Sequence, residues 1–432
     1  MGKARYAYFW GCQIPARLPF LEKSTRLVVE KLGVDVYDLD GFTCCPEKSL
    51  IKNMDEESWL LTAARNLAVA EQAGLDLLVA CNGCYGTLQS VYMKLENNPL
   101  LKEKINQRLQ EVGLAFNGKL KIKHLLDVLY DDVGIGTIKK SLVTPLSGLR
   151  IAVHYGCHLL RPSTTLRFDD PLKPGKYDAL VEALGAKSID YVSKMTCCGG
   201  GLTQGGEGEE ALAVARKKIL DVQEEQADAL TTMCPQCFMQ YDQKQAIMQK
   251  RGERLNLPVF TYAELLALAL GHTPEELGLE GHRVAVEQFL ETWKKKEAVW
   301  RAVKEKIDLP SVEKCYECAA CTNDCPVAEN HSSFQPREVI GRFLAGEIEE
   351  LLNSKDIWRC VECHTCSELC GQKFGMEKVF AVLKNLSIEK GTAPAEVQKS
   401  IKTFLETGRL GEPSAHSRKK LGLGPVSESG NQ

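Results

Sequence analysis

Several features are scarce in this chain of 432 residues, and each scarcity removes a class of function. No excess of one charge exists: 54 Lys and Arg stand against 57 Asp and Glu, a formal net charge of −3. Without a broad basic field, no nucleic-acid partner is expected. Long hydrophobic runs are missing too. The most apolar stretch, Ala263-Glu-Leu-Leu-Ala-Leu-Ala-Leu270, is too short for a bilayer, so no direct membrane span is expected. Met1-Gly-Lys-Ala-Arg-Tyr enters strand-like sequence with no apolar leader or small-residue cleavage site. Tyr6 stands where a myristoylation signal wants Ser or Thr. The expectation is a cytoplasmic protein. A glycine-rich dinucleotide fingerprint is absent, so the chain itself is expected to bind neither flavin nor nucleotide.

What is abundant is cysteine, 18 residues in all. In a small secreted chain that count means disulfides; in a cytosolic chain of this length it means metal. Every cysteine falls into one of four groups. The first two groups expose a duplication. One unit opens with an apolar run into Gly11-Cys12, the other with Ile151-Ala-Val-His-Tyr-Gly156-Cys157. Each continues through helical sequence to an adjacent pair, Cys44-Cys45 or Cys197-Cys198, and then to Cys81-x-x-Cys84 or Cys234-x-x-Cys237. The gap from pair to Cys-x-x-Cys is 35 residues in both. Matched gaps with the same chemistry at their ends mark an internal repeat. Short apolar runs alternating with helical patterns predict α/β modules whose cysteines sit at strand ends, where glycine lets backbone approach a ligand.

The expected organisation is two tandem modules over 1–145 and 146–280, a mainly α-helical domain with its linker helix over 281–410, and an extended tail over 411–432. The Lys294-Lys-Lys296 run of the linker reads as a solvated helix face, and the pattern weakens after Gly391.

The strongest local signal lies near the C-terminus. Cys315-x2-Cys318-x2-Cys321-x3-Cys325-Pro is the bacterial two-cluster ferredoxin run, and it recurs as Cys360, Cys363, Cys366 and Cys370, with Gly371 in place of proline. The fourth cysteine of such a run normally ligates the other cluster. Cys315, Cys318, Cys321 and Cys370 are therefore expected to hold one cubane [4Fe–4S] cluster, and Cys360, Cys363, Cys366 and Cys325 the other. Eight thiolates could also build two zinc sites, but this repeated spacing has no special meaning for zinc.

The five-cysteine sets admit more than one reading. An isolated Cys-x-x-Cys suits a redox pair or half a zinc site. An adjacent pair adds thiolates that can reach different irons of one irregular cluster, and five exceed what one zinc or one cubane takes. Structural zinc remains a competitor in the first unit. Beside Cys157 stand His154, His158 and Arg161, candidates for proton donation or for steadying an anion, with a hydrogen-bonded core role the alternative for His154. Lys194 faces either substrate or solvent. His364 is expected to tune or cover its cluster rather than ligate it.

The sets over Cys12, Cys44, Cys45, Cys81 and Cys84, and over Cys157, Cys197, Cys198, Cys234 and Cys237, match the signature of the CCG domain. Two such domains resemble the B subunit of heterodisulfide reductase, and the segment from about 285 resembles its C subunit. The whole chain is similar to a fusion of the two, although the first unit reads Cys44-Cys45-Pro46 rather than Cys-Cys-Gly. The resemblance implies an oxidoreductase acting on a sulfur group in anaerobic metabolism. Each five-cysteine set would hold a catalytic noncubane [4Fe–4S] cluster, with a small disulfide substrate cleaved between the two. Two cubane clusters would feed single electrons from a flavin-containing A-type subunit, within a flavin-based electron-bifurcating complex. Its electron-input module would be a hydrogenase, a formate dehydrogenase or another donor. Two alternatives stand beside this: an iron–sulfur subunit of a lactate, glycolate or quinone-linked oxidoreductase, and a non-catalytic electron-transfer subunit with zinc in its CCG units.

Overall fold

The computed structural model describes residues 5–47, 51–307, 312, 318, 320–344, 346–372, 375–410 and 414–425. The chain forms two compact units, Met1–Glu297 and Ala298–Gln432.

The first unit is built twice from one plan. Its first sheet has strands β1 (Arg5–Phe9), β2 (Asp35–Tyr37), β3 (Asp76–Val79) and β4 (Ile122–His124) in the order β2-β1-β3-β4. Its second has β5 (Arg150–His154), β6 (Lys187–Ile189), β7 (Ala229–Thr232) and β8 (Val259–Thr261) in the order β6-β5-β7-β8. All pairings are parallel. The central strands are apolar and buried on both faces, because helices cover each sheet on two sides. Each fully buried leucine or phenylalanine there stabilises the fold by roughly 1.5–3 kcal/mol.

The strand order fixes where a ligand goes. From β1 the chain crosses outward to β2, then back over β1 to β3, so the winding reverses between β1 and β3. The same reversal separates β5 from β7. In parallel sheets the crevice beyond the strand C-termini at such a reversal is the binding position. The repeats embrace: helix Pro19–Lys31 packs on helix Tyr262–Ala269, and helix Lys176–Ala183 packs on helix Ile135–Ser141. Each repeat thus offers its first long helix to the other's last.

The helix Glu287–Lys304 begins where Phe289 and Trp293 join the core of the first unit. This is why the compact unit runs on to Glu297 rather than stopping at the 280/281 boundary drawn from the sequence. Lys296, read as part of a solvated face, donates instead to Gly148 O at 2.6 Å and meets Asp228 at 3.3 Å, while Lys294 and Lys295 stay exposed.

Among its described residues the second unit is helical. Pro336–Leu344, Ile348–Leu352 and Met376–Glu389 close around a core that includes Phe334, Phe343, Leu351, Phe380 and Leu383. Beyond Gly391, where the sequence pattern faded, a full helix Ala395–Thr407 forms, with Phe404 and Leu405 exposed. The segment read as an extended tail contains the short helix Ala415–Lys420, started by Ser414 accepting from the Ser417 N–H. Among the described residues no helix is long and apolar enough to cross a membrane.

Candidate metal centre

All ten cysteines of the two five-cysteine sets line one cavity of about 210 Å³ in the first unit. Cys12 follows β1 and Cys157 follows β5. Cys81 caps helix Asn82–Glu96 and Cys234 caps helix Pro235–Lys250, so that Cys84 and Cys237 lie in the first turns. Helix N-termini favour anions, and a thiolate is the ligating form of cysteine. The adjacent pairs close the set from the loops after β2 and β6. Cys44 Sγ lies 3.7 Å from Cys12 Sγ, and Cys237 Sγ lies 3.4 Å from Cys198 Sγ.

These distances are too long for a disulfide and too short for five independent charges. The thiols respond by sharing protons. Hydrogen bonding to Cys44 pushes Cys12 up, while donation from Cys44 and Cys84 lowers Cys45 to about 5. In the second set, donation from Cys157 and then Cys198 lowers Cys197, and Cys198 rises to about 12. The sets also meet each other: a hydrogen bond to Cys234 of the second repeat pushes Cys81 of the first upward. Ten crowded thiols cannot all ionise without cations among them. Ten ionised thiolates suit multi-iron groups, so the donor chemistry fits the iron–sulfur reading.

Glycine makes the approach possible. Gly11 sits at φ +68, and a Cβ there would come within 2.9 Å of Cys84 Sγ. At Gly156, φ +77, it would meet Asn82 Nδ2 at 2.5 Å. That amide matters in its own right: Asn82 donates to Tyr155 O at 2.7 Å and ties the first repeat's Cys-x-x-Cys turn to the end of β5.

Of the lesser candidates, His158 lines the cavity 3.8 Å from Glu47, which lines it too. Lys194 turns away to Asp178 and Asp190, 2.8 Å from each, and Arg161 Nε donates to Pro171 O at 3.2 Å. His154 is a core residue but not a hydrogen-bonded one. It is fully buried, neither ring nitrogen has a hydrogen-bond partner among the described residues, and its ligand atom and the sulfurs of Cys198 and Cys237 all lie within 4.8 Å of one another.

Two positions that brace the cysteine loops escaped the sequence reading. Asn82 is one, hidden inside a motif read only for its cysteines. Lys218 is the other: 1% exposed, it donates to the carbonyls of Ser193 and Lys194, just before the Cys197-Cys198 pair. Burial lowers its ammonium to about 8, against the opposing pull of Cys237 and Cys198. Its signal was helical spacing, since Ala211, Ala215, Lys218 and Val222 share the buried face of helix Gly208–Glu224.

In the second unit, Cys315 lies outside the described residues. Burial pushes Cys321 up, and Cys318 and Cys370 push it the same way; burial likewise raises Cys360, with Cys325 among its neighbours. Cys366 rises to about 11 through burial, then Glu377, Cys360 and Cys363. Cys321, Cys325, Cys360, Cys363 and Cys366 line a common pocket. His364 is largely exposed, 3.6 Å from Glu377.

The cysteine-rich domain family (CCG) matches residues 6–89 and 151–242, and the 4Fe-4S dicluster domain family matches residues 311–374. Over 289 residues the chain is 40% identical to the B subunit of the ferredoxin/F(420)H(2)-dependent CoB-CoM heterodisulfide reductase of Methanosarcina acetivorans, covering 66% of this chain and 96% of the relative. It is 32% identical to the membrane anchor subunit of the 8-methylmenaquinol:fumarate reductase of Wolinella succinogenes, covering 63% of this chain and 95% of the relative. A further 119 residues are 30% identical to the C2 subunit of the H(2)/formate:CoB-CoM heterodisulfide,ferredoxin reductase of Methanococcus maripaludis, covering 27% of this chain and 64% of the relative.

Proposed function

Because the chain belongs to the family of heterodisulfide reductase B subunits and continues into a 4Fe-4S dicluster domain similar to the C subunits, we propose that it is the disulfide-cleaving subunit of a cytoplasmic reductase complex. The observation that carries this reading is the single cavity collecting ten cysteines from two repeats. Cys12, Cys44, Cys45, Cys81 and Cys84 would hold one noncubane iron–sulfur group, and Cys157, Cys197, Cys198, Cys234 and Cys237 the other. Cys315, Cys318, Cys321 and Cys370, and Cys360, Cys363, Cys366 and Cys325, would hold the two cubanes. When bound, the paired noncubane groups supply single electrons and iron positions for the two sulfurs of a disulfide. The balance is one disulfide plus two electrons and two protons giving two thiols.

The chain's own contribution is position. Two helix N-termini position Cys81, Cys84, Cys234 and Cys237 at the cavity, and the Asn82 bond to Tyr155 ties the first repeat's Cys-x-x-Cys turn to the end of β5. Gly11 and Gly156 leave room beside the sulfurs. Glu47 and His158 are the ionisable side chains besides the cysteines that line the cavity, and His158 would deliver a proton to a departing thiolate. Electrons would come through the dicluster domain from a flavin-containing partner, in a bifurcating complex fed by a hydrogenase, a formate dehydrogenase or another electron-input module.

Metal analysis of anaerobically purified protein tests this. About 16 iron and almost no zinc per chain is expected, followed by disulfide turnover with an artificial electron donor. About 8 iron with one or two zinc would mean structural CCG units and would end the disulfide mechanism. The likeness to the fumarate reductase anchor subunit favours a second reading, a quinone-linked oxidoreductase subunit; turnover with a quinol and none with disulfides would select it.

A further inference from the structure

The two halves of the cavity are matched in their cysteines and mismatched in what stands behind them. Residue positions correspond directly, because the flanking spacings are the same. Three residues before Cys157 is His154; three before Cys12 is Phe9. Both are fully buried at the ends of β5 and β1, so an imidazole in one repeat replaces a phenyl ring in the other.

Twenty residues after the adjacent pair the contrast repeats. In the second repeat the position is Lys218, in the first Arg65. Both cations donate to the backbone just before the pair, Lys218 to the carbonyls of Ser193 and Lys194, Arg65 to that of Gly41. Their surroundings differ. Lys218 is 1% exposed and stacks over the Tyr191 ring at 5.2 Å, whereas Arg65 is half-exposed and its charge is screened by water. The carboxylate of Asp221, held by the Ser193 N–H, faces the Lys218 ammonium.

A third mismatch is in the backbone. The N–H groups of Gly199 and Gly200 each lie 3.4 Å from a cysteine sulfur, Cys197 and Cys198 respectively. The residue equivalent to Gly199 is Pro46, which has no N–H to give.

All three differences act in one direction. Hydrogen bonds to cluster sulfurs and buried positive charge favour the reduced, more negative state of an iron–sulfur centre. Buried imidazole nitrogens also need partners, and the sulfurs within 4.8 Å of one another and of His154 are the groups available. We infer that His154 and Lys218 are positioning residues that raise the reduction potential of the second repeat's centre above that of the first, so that the second is reduced before the first. The inference rests on the iron–sulfur reading of both five-cysteine sets. It concerns an asymmetry inside the cavity, which that reading does not require.

The test is an EPR-monitored redox titration of anaerobic holoprotein, with metal content measured on the same samples. Cys84→Ala, which removes the first centre, assigns the signals. Wild type should show two CCG-centre midpoints, the second higher. Lys218→Met should lower only the second, by at least a tenfold change in the one-electron equilibrium, or about 59 mV. Lys218→Arg should keep it near wild type. His154→Phe, which copies the first repeat, should act like Lys218→Met, and His154→Asn should restore part of the shift. If His154→Phe sheds iron, Lys218→Met carries the test. Coincident midpoints in wild type, or full iron with no selective shift in Lys218→Met, would overturn the inference and leave disulfide cleavage standing. Wild-type protein with about 8 iron and zinc would overturn both.

Discussion

The two repeats of the first unit share strand order, register and cysteine placement, and differ in several of the groups that stand behind the cysteines. In the first, a phenylalanine, a half-exposed arginine and a proline surround the set; in the second, a buried histidine, a buried lysine and a glycine N–H do. Metal ligation constrains a few sulfur positions and needs only a scaffold that holds them. The electronic character of a centre lies in its second layer of contacts, which a duplicated chain is free to change one copy at a time. Two equal sockets can therefore become unequal electron acceptors.

The comparison breaks most severely if a ligand is removed. Cys84→Ala and Cys237→Ala are each expected to strip one centre, about four of about 16 irons, and to abolish disulfide turnover; iron assay and turnover check it. Loss of all the CCG iron from either variant would mean the two sockets fill as one. Smaller, and unequal, are the glycine substitutions. Gly11→Ala and Gly156→Ala both impose a left-handed residue, a strain of about 1–2 kcal/mol. Gly11→Ala presses on the Cys84 sulfur itself at 2.9 Å and Gly156→Ala on the Asn82 amide at 2.5 Å, so Gly11→Ala should release iron to a chelator faster than Gly156→Ala does. Asn82→Ala removes the same link without strain and should cost about 1–3 kcal/mol, read as faster thermal inactivation.

Finer still is the expected effect of Pro46→Gly. It returns an N–H to the first set and should raise only the first centre's midpoint, narrowing the gap seen by EPR titration.

The smallest effect is one of pH, at the third residue after the last strand of each repeat. There the second repeat has Glu264, bonded to buried His282 at 2.8 Å, and the first has Asp127, 3.2 Å from Lys176. Burial pulls the His282 imidazole down, but the Glu264 charge outweighs it and the net shift is upward. A histidine raised on folding adds stability that is complete below its unfolded pKa, about 6.5, and fades as pH rises through the folded value. Amide protection in helix Tyr262–Ala269, corrected for intrinsic exchange, should fall across that window, and His282→Gln should flatten the profile.

Much of this architecture was legible early. Equal gaps between Cys45 and Cys81 and between Cys198 and Cys234 announced the duplication, because a β-strand-to-helix turn fixes where a ligand can stand. The alternation of apolar runs with helical patterns pointed to α/β modules, and the structure shows their sheets to be parallel. The illegible parts depended on contacts between distant segments. Lys296 looked like one of three solvated lysines until Gly148 and Asp228 came beside it. Lys194 looked available to substrate until Asp178 and Asp190 claimed it. His154 was placed in a strand correctly, but which sulfurs it faced depended on Cys198 and Cys237, which lie far along the chain.

By itself the sequence determined the candidate chemistry: which thiols are grouped at ligand spacing, how many sets exist and that two are copies, since residue type and spacing are covalent facts. Only the tertiary structure decided that the copies face each other across one cavity, that Cys81 reaches Cys234, and that one set is backed by a buried cation and the other by a phenyl ring. Those properties depend on burial and dielectric environment, which arise when remote segments exclude water together, and no single stretch of chain carries them.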